Sequence, residues 1–111
     1  MDNLLKEAVA SLFCYVIKSE KKDIEKERPI FCRFMKQDFD MECDDANTLF
    51  DNVMEKDYNI DTQISIISNA LATQTYQKMS ILKQLNSIII RDNLKDDDYD
   101  IFEKTKKAFF G

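Results

Sequence analysis

Residues 3–18, NLLKEAVASLFCYVIK, decide the fold that this chain can adopt. Apolar residues recur there at the i, i+3 and i+4 spacing that places side chains on one face of an α-helix. Asp2 is expected to cap the helix, because its carboxylate can accept a hydrogen bond from a backbone N–H of the first turn. The stretch therefore predicts a helix from Asn3 to Lys18. Its apolar positions are Leu4, Leu5, Ala8, Val9, Leu12, Phe13, Val16 and Ile17.

Five further stretches carry the same helical pattern. Pro29 is expected near the first turn of the second helix, because its ring would clash deeper in the helix. Glu42 or Asp44 is expected to cap the third helix, and Asp61 the fourth. The apolar positions, in chain order, are Ile30, Phe31, Phe34, Met35 and Phe39; Ala46, Leu49, Phe50, Val53 and Met54; Ile64, Ile66, Ile67, Ala70 and Leu71; Met79, Leu82, Leu85, Ile88 and Ile89; and Ile101, Phe102, Thr105, Ala108 and Phe109.

The distribution of charge predicts which helices lie at the centre. Residues 58–91 hold one acid, Asp61, against three bases, whereas the outer parts of the chain hold all the other acids. A helix with few charged residues is more easily surrounded by other helices. The fourth and fifth helices are therefore expected to be central, and Met79 is expected to belong to the buried stripe of the fifth.

Length and composition favour one all-α domain. A chain of 111 residues suits a single domain, 1–111, and is short for two. One Gly and one Pro argue against a β-sandwich or barrel, whose corners need such residues. We therefore expect a compact single-domain bundle of about six helices.

The cysteines predict a reducing environment. Cys14, Cys32 and Cys43 are odd in number and show no C-x-x-C spacing, so we expect neither a disulfide framework nor a zinc site. Buried, reduced thiols are the expectation. The N-terminal stretch does not read as a signal peptide, and the longest apolar run is Ile88–Ile90, which predicts no insertion into a membrane. Together these features predict a cytoplasmic protein.

Two acidic turns and one link between helices follow each other along the chain. The first turn is Ser19–Ile24 followed by Glu27, the link is Phe39–Glu42 followed by Asp44–Ala46, and the second turn is Ile90–Leu94 followed by Asp97 or Asp98. This order of elements resembles the TerB-like family of bacterial tellurite-resistance operons. The chain departs from the family at the Asp-Gly pairs, which Glu20-Lys21 and Asp92-Asn93 replace. The resemblance implies an α-helical bundle that binds divalent metal through these acids and acts in stress response.

The acids of the two turns are the candidate metal ligands. They are Asp92, Asp96, Asp97 and Asp98 at the second turn, and Glu20, Asp23 and Glu27 at the first. Carboxylates suit hard cations, so Ca²⁺, Mg²⁺ or Mn²⁺ is the cofactor that they could hold. A second interpretation stays open. Asp96 would cap the sixth helix, its neighbours would complement the helix dipole in water, and the first turn would be a solvated loop of mixed charge.

Two other features predict a protein partner. Asp44 and Asp45 lie in a strongly acidic middle segment, which is either a docking surface for a basic partner or a solvated face. Phe109 and Phe110 are adjacent and cannot both point inward, so Phe110 is expected to be exposed. An exposed phenylalanine indicates a protein partner or a homodimer.

The composition disfavours nucleic-acid binding and catalysis. The formal charge of −5 opposes binding to a phosphate backbone, and the absence of His excludes a histidine base or imidazole ligand. The only Gly is terminal, so there is no Gly-rich phosphate loop. We therefore expect no enzyme but a TerB-like binding module, metal-assisted, in a stress-response or membrane-associated complex. The alternative is a metal-free adaptor or inhibitor that uses its acidic face.

Overall fold

In the computed structural model, which describes residues 3–90 and 99–111, the chain forms an all-α bundle. The radius of gyration is 12.8 Å, close to the value of about 13 Å expected for a compact domain of this length. The prediction of a compact single-domain bundle of six helices is confirmed. The helices are α1 (Asn3–Ser19), α2 (Ile24–Phe39), α3 (Cys43–Met54), α4 (Ile60–Ala70), α5 (Thr75–Ile90) and α6 (Tyr99–Phe110).

The central helix is α1, so the prediction that the fourth and fifth helices are central was wrong. α1 packs against α2, α3, α4 and α5. It is buried on more than one face, because small residues such as Ala10, Ser11 and Cys14 let other helices approach beside the larger apolar stripe. α4 by contrast buries only Ile64 and Ile67 within its own length. A helix that is apolar nearly all round belongs inside a bundle.

Aromatic side chains of α2 pack against α1 and α3. The ring of Phe34 meets that of Phe13 on α1 edge to face, with 5.1 Å between centroids. Phe31 packs on Phe50 of α3 at 5.2 Å. The Arg28 guanidinium lies 5.1 Å from the centroid of the Phe50 ring and 2.8 Å from the Asp51 carboxylate. These contacts hold α2 and α3 together.

The cysteines differ from the prediction. Cys14 is a buried free thiol, as expected, and burial raises its pKa to about 12. Cys32 and Cys43 form a disulfide between α2 and the start of α3, so the prediction of reduced thiols was wrong for these two. The reason is geometric, since the turn between the helices brings their Cα atoms to 5.3 Å, within the usual range for a disulfide.

The starts of α2 and α4 differ from the prediction. α2 begins at Ile24, capped by the Asp23 side chain, so Pro29 lies inside the helix and not near its first turn. Asn59, not Asp61, caps α4, because its side-chain oxygen accepts a hydrogen bond of 3.1 Å from the backbone N–H of Thr62. The cap predicted for α1, Asp2, lies outside the described residues.

The turn after α1 stores a small amount of backbone strain, which gives the first prediction. Lys21 has a φ of 52°, in the left-handed region that suits glycine. Replacing Lys21 with glycine is therefore expected to raise the free energy of unfolding by about 0.5–1 kcal/mol, measured by urea denaturation. Lys21→Ala keeps the Cβ atom and is the matched control, for which no such gain is expected. Equal gains from both variants would place the effect in the lysine side chain.

Candidate functional site

A groove of about 770 Å³ is formed by α2, α5 and α6. α5 and α6 run antiparallel along it, since Lys78 contacts Phe109 at one end and Tyr99 contacts Asn86 at the other. We call this site the α5 groove. Its lining includes Phe34 and Asp38 of α2, Tyr76, Met79 and Lys83 of α5, and Phe102, Lys106 and Phe110 of α6.

Large apolar side chains in the α5 groove are exposed to solvent. Tyr76 is 82% exposed, Met79 55% and Phe110 44%. Phe110 is exposed while Phe109 is buried, as their helical spacing predicts. Met79 was expected in the core, and that prediction was wrong. Met79 lies on the exposed face of α5. The apolar residues of the buried face are Ile81, Leu82, Leu85, Ile88 and Ile89.

Lys78, the residue before Met79, is buried and helps to fix which face of α5 points inward. Lys78 is only 7% exposed, and its ammonium donates hydrogen bonds to the backbone carbonyls of Phe109 at 2.9 Å and Ala72 at 3.2 Å. It also lies 4.9 Å from the centroid of the Phe110 ring. Carbonyl oxygens at the end of α6 carry partial negative charge, which suits a cation. Lys78 thus links the first turns of α5 to the last turn of α6, where Phe110 lies.

Two lysines and one aspartate give the α5 groove its charge. Lys83 and Lys106 are exposed, and neither has an ion-pair partner within residues 3–90 and 99–111. The Oδ2 atom of Asp38 is buried and has no hydrogen-bond partner, although the backbone carbonyl of Asp38 accepts a hydrogen bond of 3.1 Å from Gln77. A buried polar atom of this kind is normally paired. The groove therefore combines apolar contact area with two lysines that no residue of 3–90 or 99–111 pairs with, beside one buried acceptor that these residues leave unsatisfied.

The acidic residues predicted to bind a partner lie on another part of the surface. Asp44 and Asp45 are exposed in the first turn of α3, where they suit the positive end of its dipole. Neither lines the α5 groove, whereas Phe110 does. Of the three residues predicted to bind a partner, the structure therefore places Phe110 in the groove and the two aspartates outside it.

The predicted metal ligands are only partly described. Asp92, Asp96, Asp97 and Asp98 lie outside the described residues. Of the first-turn acids, Asp23 caps α2 and Glu27 is almost fully buried, at 2% exposed. Within the described part of the chain, no three acidic or cysteine side chains form a group that could hold a metal ion, so Glu20, Asp23 and Glu27 do not form one by themselves. The divalent-cation site stays a prediction.

A smaller pocket of about 340 Å³ lies beside α1. Tyr58 lines it and donates a hydrogen bond of 2.6 Å to the Glu7 carboxylate. Burial, followed by this hydrogen bond and the charge of Glu7, raises the pKa of Tyr58 from 10.0 to about 12. Cys14 also lines the pocket, but its raised pKa leaves little thiolate at neutral pH. The Cys14 thiol is therefore not an activated nucleophile.

The raised pKa of Tyr58 predicts a loss of stability in alkali. Because the pKa is higher in the folded chain, the contribution is fully present below pH 10 and is lost as the pH rises towards 12. Tyr58 is only partly buried, so solvent screens the interaction and the loss should be about 1 kcal/mol. Urea denaturation across this pH range measures it. Tyr58→Phe should flatten that part of the curve, and an unchanged slope in the variant would contradict the assignment.

No helix within residues 3–90 and 99–111 is both long and apolar enough to cross a bilayer. Comparisons with protein-family models, with curated proteins and with solved structures found no match. The resemblance to the TerB-like family therefore stays a prediction, and the case for function depends on the geometry of the chain itself.

Proposed function

We propose that this chain is a helical binding module whose protein partner docks in the α5 groove. The observation that carries the proposal is the exposure of Tyr76, Met79 and Phe110 in one groove. Exposed large apolar side chains that cluster at one place are typical of an interaction site. Tyrosine, methionine and phenylalanine are also the residues enriched at protein interfaces. Contact with a partner would remove this surface from water.

Binding explains the groove better than catalysis does. Among the groove residues, Asp38 supplies the one carboxylate and there is no histidine or cysteine. A pair of carboxylates with different pKa values, or a nucleophile beside a base, is the usual minimum for acid–base or covalent chemistry. We therefore propose a role in assembly. Membership of the TerB-like family, with a cytoplasmic stress-response role, is part of this proposal.

Site-specific crosslinking tests the proposed site. Tyr76 is replaced with the photo-crosslinking residue p-benzoyl-phenylalanine in cells that naturally produce the chain, and Asp45 is replaced in the same way on α3. Illumination should give a discrete protein adduct from position 76. The adduct should disappear when Met79→Asn is added, because the replacement removes an apolar contact from the groove. Met79 is exposed, so the replacement leaves the core intact.

The control position separates the two binding surfaces. Adducts formed only from position 45 would favour the adaptor that uses its acidic face, and would overturn the groove as the site. No discrete adduct from position 76, or an adduct that persists with Met79→Asn, would also overturn it.

The cation prediction has an independent test. Calorimetric titration of the whole chain with Ca²⁺, Mn²⁺ and Mg²⁺ should show heat that Asp92→Ala removes, if the second acidic turn holds the ion. Asp44→Ala is the control, because Asp44 lies in a different acidic segment. No heat at millimolar metal would leave a metal-free binding module.

A further inference from the structure

We infer that the occupant of the α5 groove is an amphipathic α-helix of a partner protein, with carboxylates beside its apolar stripe. The inference rests on the proposed function and gives the chemistry of the partner. Two properties of the groove support it, namely its shape and its two lysines, which have no ion-pair partner in the described part of the chain.

The dimensions of the groove fit a helix. Along α5 the lining runs from Tyr76 to Ser87, a length of roughly 17 Å or about three helical turns at 1.5 Å per residue. Its walls come from two other helices, so the groove has the form of a vacant position in a helix bundle. An amphipathic helix fills such a groove by laying its apolar face along the floor. Tyr76, Met79 and Phe110 would be the contacts of that face.

The charge of the groove selects an acidic helix. Lys83 and Lys106 lie among the apolar residues of the lining and have no ion-pair partner in the described part of the chain. A ligand that covered them without supplying negative charge would remove two cations from water uncompensated, which is costly. Glutamate or aspartate beside the apolar stripe of the partner helix would pair with both.

The same lysines argue against a second copy of this chain in the groove. In a two-fold symmetric dimer both copies present the same surface, so Lys83 and Lys106 of each would meet in one interface. Among the described lining residues, four cations would then face two Asp38 side chains. Like charges placed together at an interface oppose association.

A designed peptide tests the inference without the natural partner. The probe is a fluorescent 18-residue peptide, with leucine at i, i+3, i+4 and i+7 and glutamate on both flanks of the stripe. The matched peptide carries lysine in place of each glutamate. The net charge of the chain is −5, so the measurement is made at about 0.15 M salt, where charges farther away than about 8 Å are largely screened. Fluorescence anisotropy with the full chain should then show the glutamate peptide binding about tenfold more tightly, and the difference should shrink at about 1 M salt. A Lys83→Glu/Lys106→Glu variant should reverse the preference, because both changed side chains would then carry negative charge. Lys83 and Lys106 are exposed, so the replacements are expected to leave the fold intact.

The outcomes distinguish the inference from the proposed function. Equal affinity for the two peptides, lost in both cases with Met79→Asn, would overturn the acidic partner while leaving the groove as the site. No binding of either peptide, together with crosslinks from position 76, would overturn the helix as occupant. A dimer in sedimentation that Met79→Asn dissociates would identify a second copy as the occupant and overturn the inference.

Discussion

Replacing Phe13 with alanine is expected to lower the free energy of unfolding by about 4 kcal/mol. Phe13 lies on α1 and is 1% exposed, and its ring meets that of Phe34 at 5.1 Å. The replacement would leave a cavity where α1 meets α2 and would remove the aromatic contact. A domain of this size is typically stable by about 5–15 kcal/mol, so the loss would be a large part of the total. Urea denaturation followed by circular dichroism measures it.

Tyr15 provides the matched control for this prediction. It lies on the same helix, has a ring of the same size and is 41% exposed. Tyr15→Ala should cost much less, about 1 kcal/mol, because Tyr15 is 41% exposed and its removal leaves no enclosed cavity. If the two replacements had similar effects, α1 could not be the central helix of the bundle.

Reduction of the Cys32–Cys43 disulfide is expected to lower the free energy of unfolding by about 3 kcal/mol. The bond joins residues 11 positions apart, and a cross-link of this span restricts the unfolded chain by about that amount in the chain-entropy account. The measurement is urea denaturation of the protein with and without a reducing agent. The midpoint should move to lower urea in the reduced sample.

The Cys43→Ala variant checks that this effect comes from the disulfide. It should have the stability of the reduced protein, and the reducing agent should not change it further, since Cys14 is already a free thiol. A shift of the variant on reduction would contradict the assignment. Disulfides persist mainly in oxidising compartments, so the oxidation state of this pair in intact cells also tests the predicted cytoplasmic location.

The secondary structure followed from the spacing of apolar residues, whereas the packing order did not. The i, i+3 and i+4 pattern predicts each helix, because that pattern is a property of a single helix. Which helix lies at the centre depends on how many neighbours it touches. Ala10 and Ser11 on α1 are neither strongly apolar nor large, yet both are buried because other helices pack against them. Only the assembled bundle reveals this.

The burial of Lys78 and the exposure of Met79 also depend on the assembled bundle. Lys78 would be assigned to the solvent and Met79 to the core by their polarity alone. In the fold, the carbonyls of Ala72 and Phe109 satisfy the ammonium of Lys78. The Phe109 carbonyl lies 31 residues away in sequence and the Ala72 carbonyl lies in the turn before α5, so the helical spacing of apolar residues does not predict either contact. The α5 groove depends on this arrangement, because it leaves Met79 exposed.

One residue of the proposed site was nevertheless predictable. Phe109 and Phe110 are adjacent, and a helix cannot direct both into one core, so an exposed ring follows from helical geometry. Two of the three walls of the groove come from α2 and α5, which are distant from Phe110 in sequence. The pairing of Cys32 with Cys43 has a similar origin, since it requires the turn between α2 and α3.

The central place of α1 also bears on the synthesis of the chain. α1 leaves the ribosome first among the helices, and its main packing partner α4 follows about 40 residues later. During that interval its apolar sides have no helix of the bundle to cover them except α2 and then α3. Nascent segments of this kind are prone to aggregate and are natural clients of chaperones. Slow translation before residue 60 would prolong that exposure, whereas rapid delivery of α4 would end it.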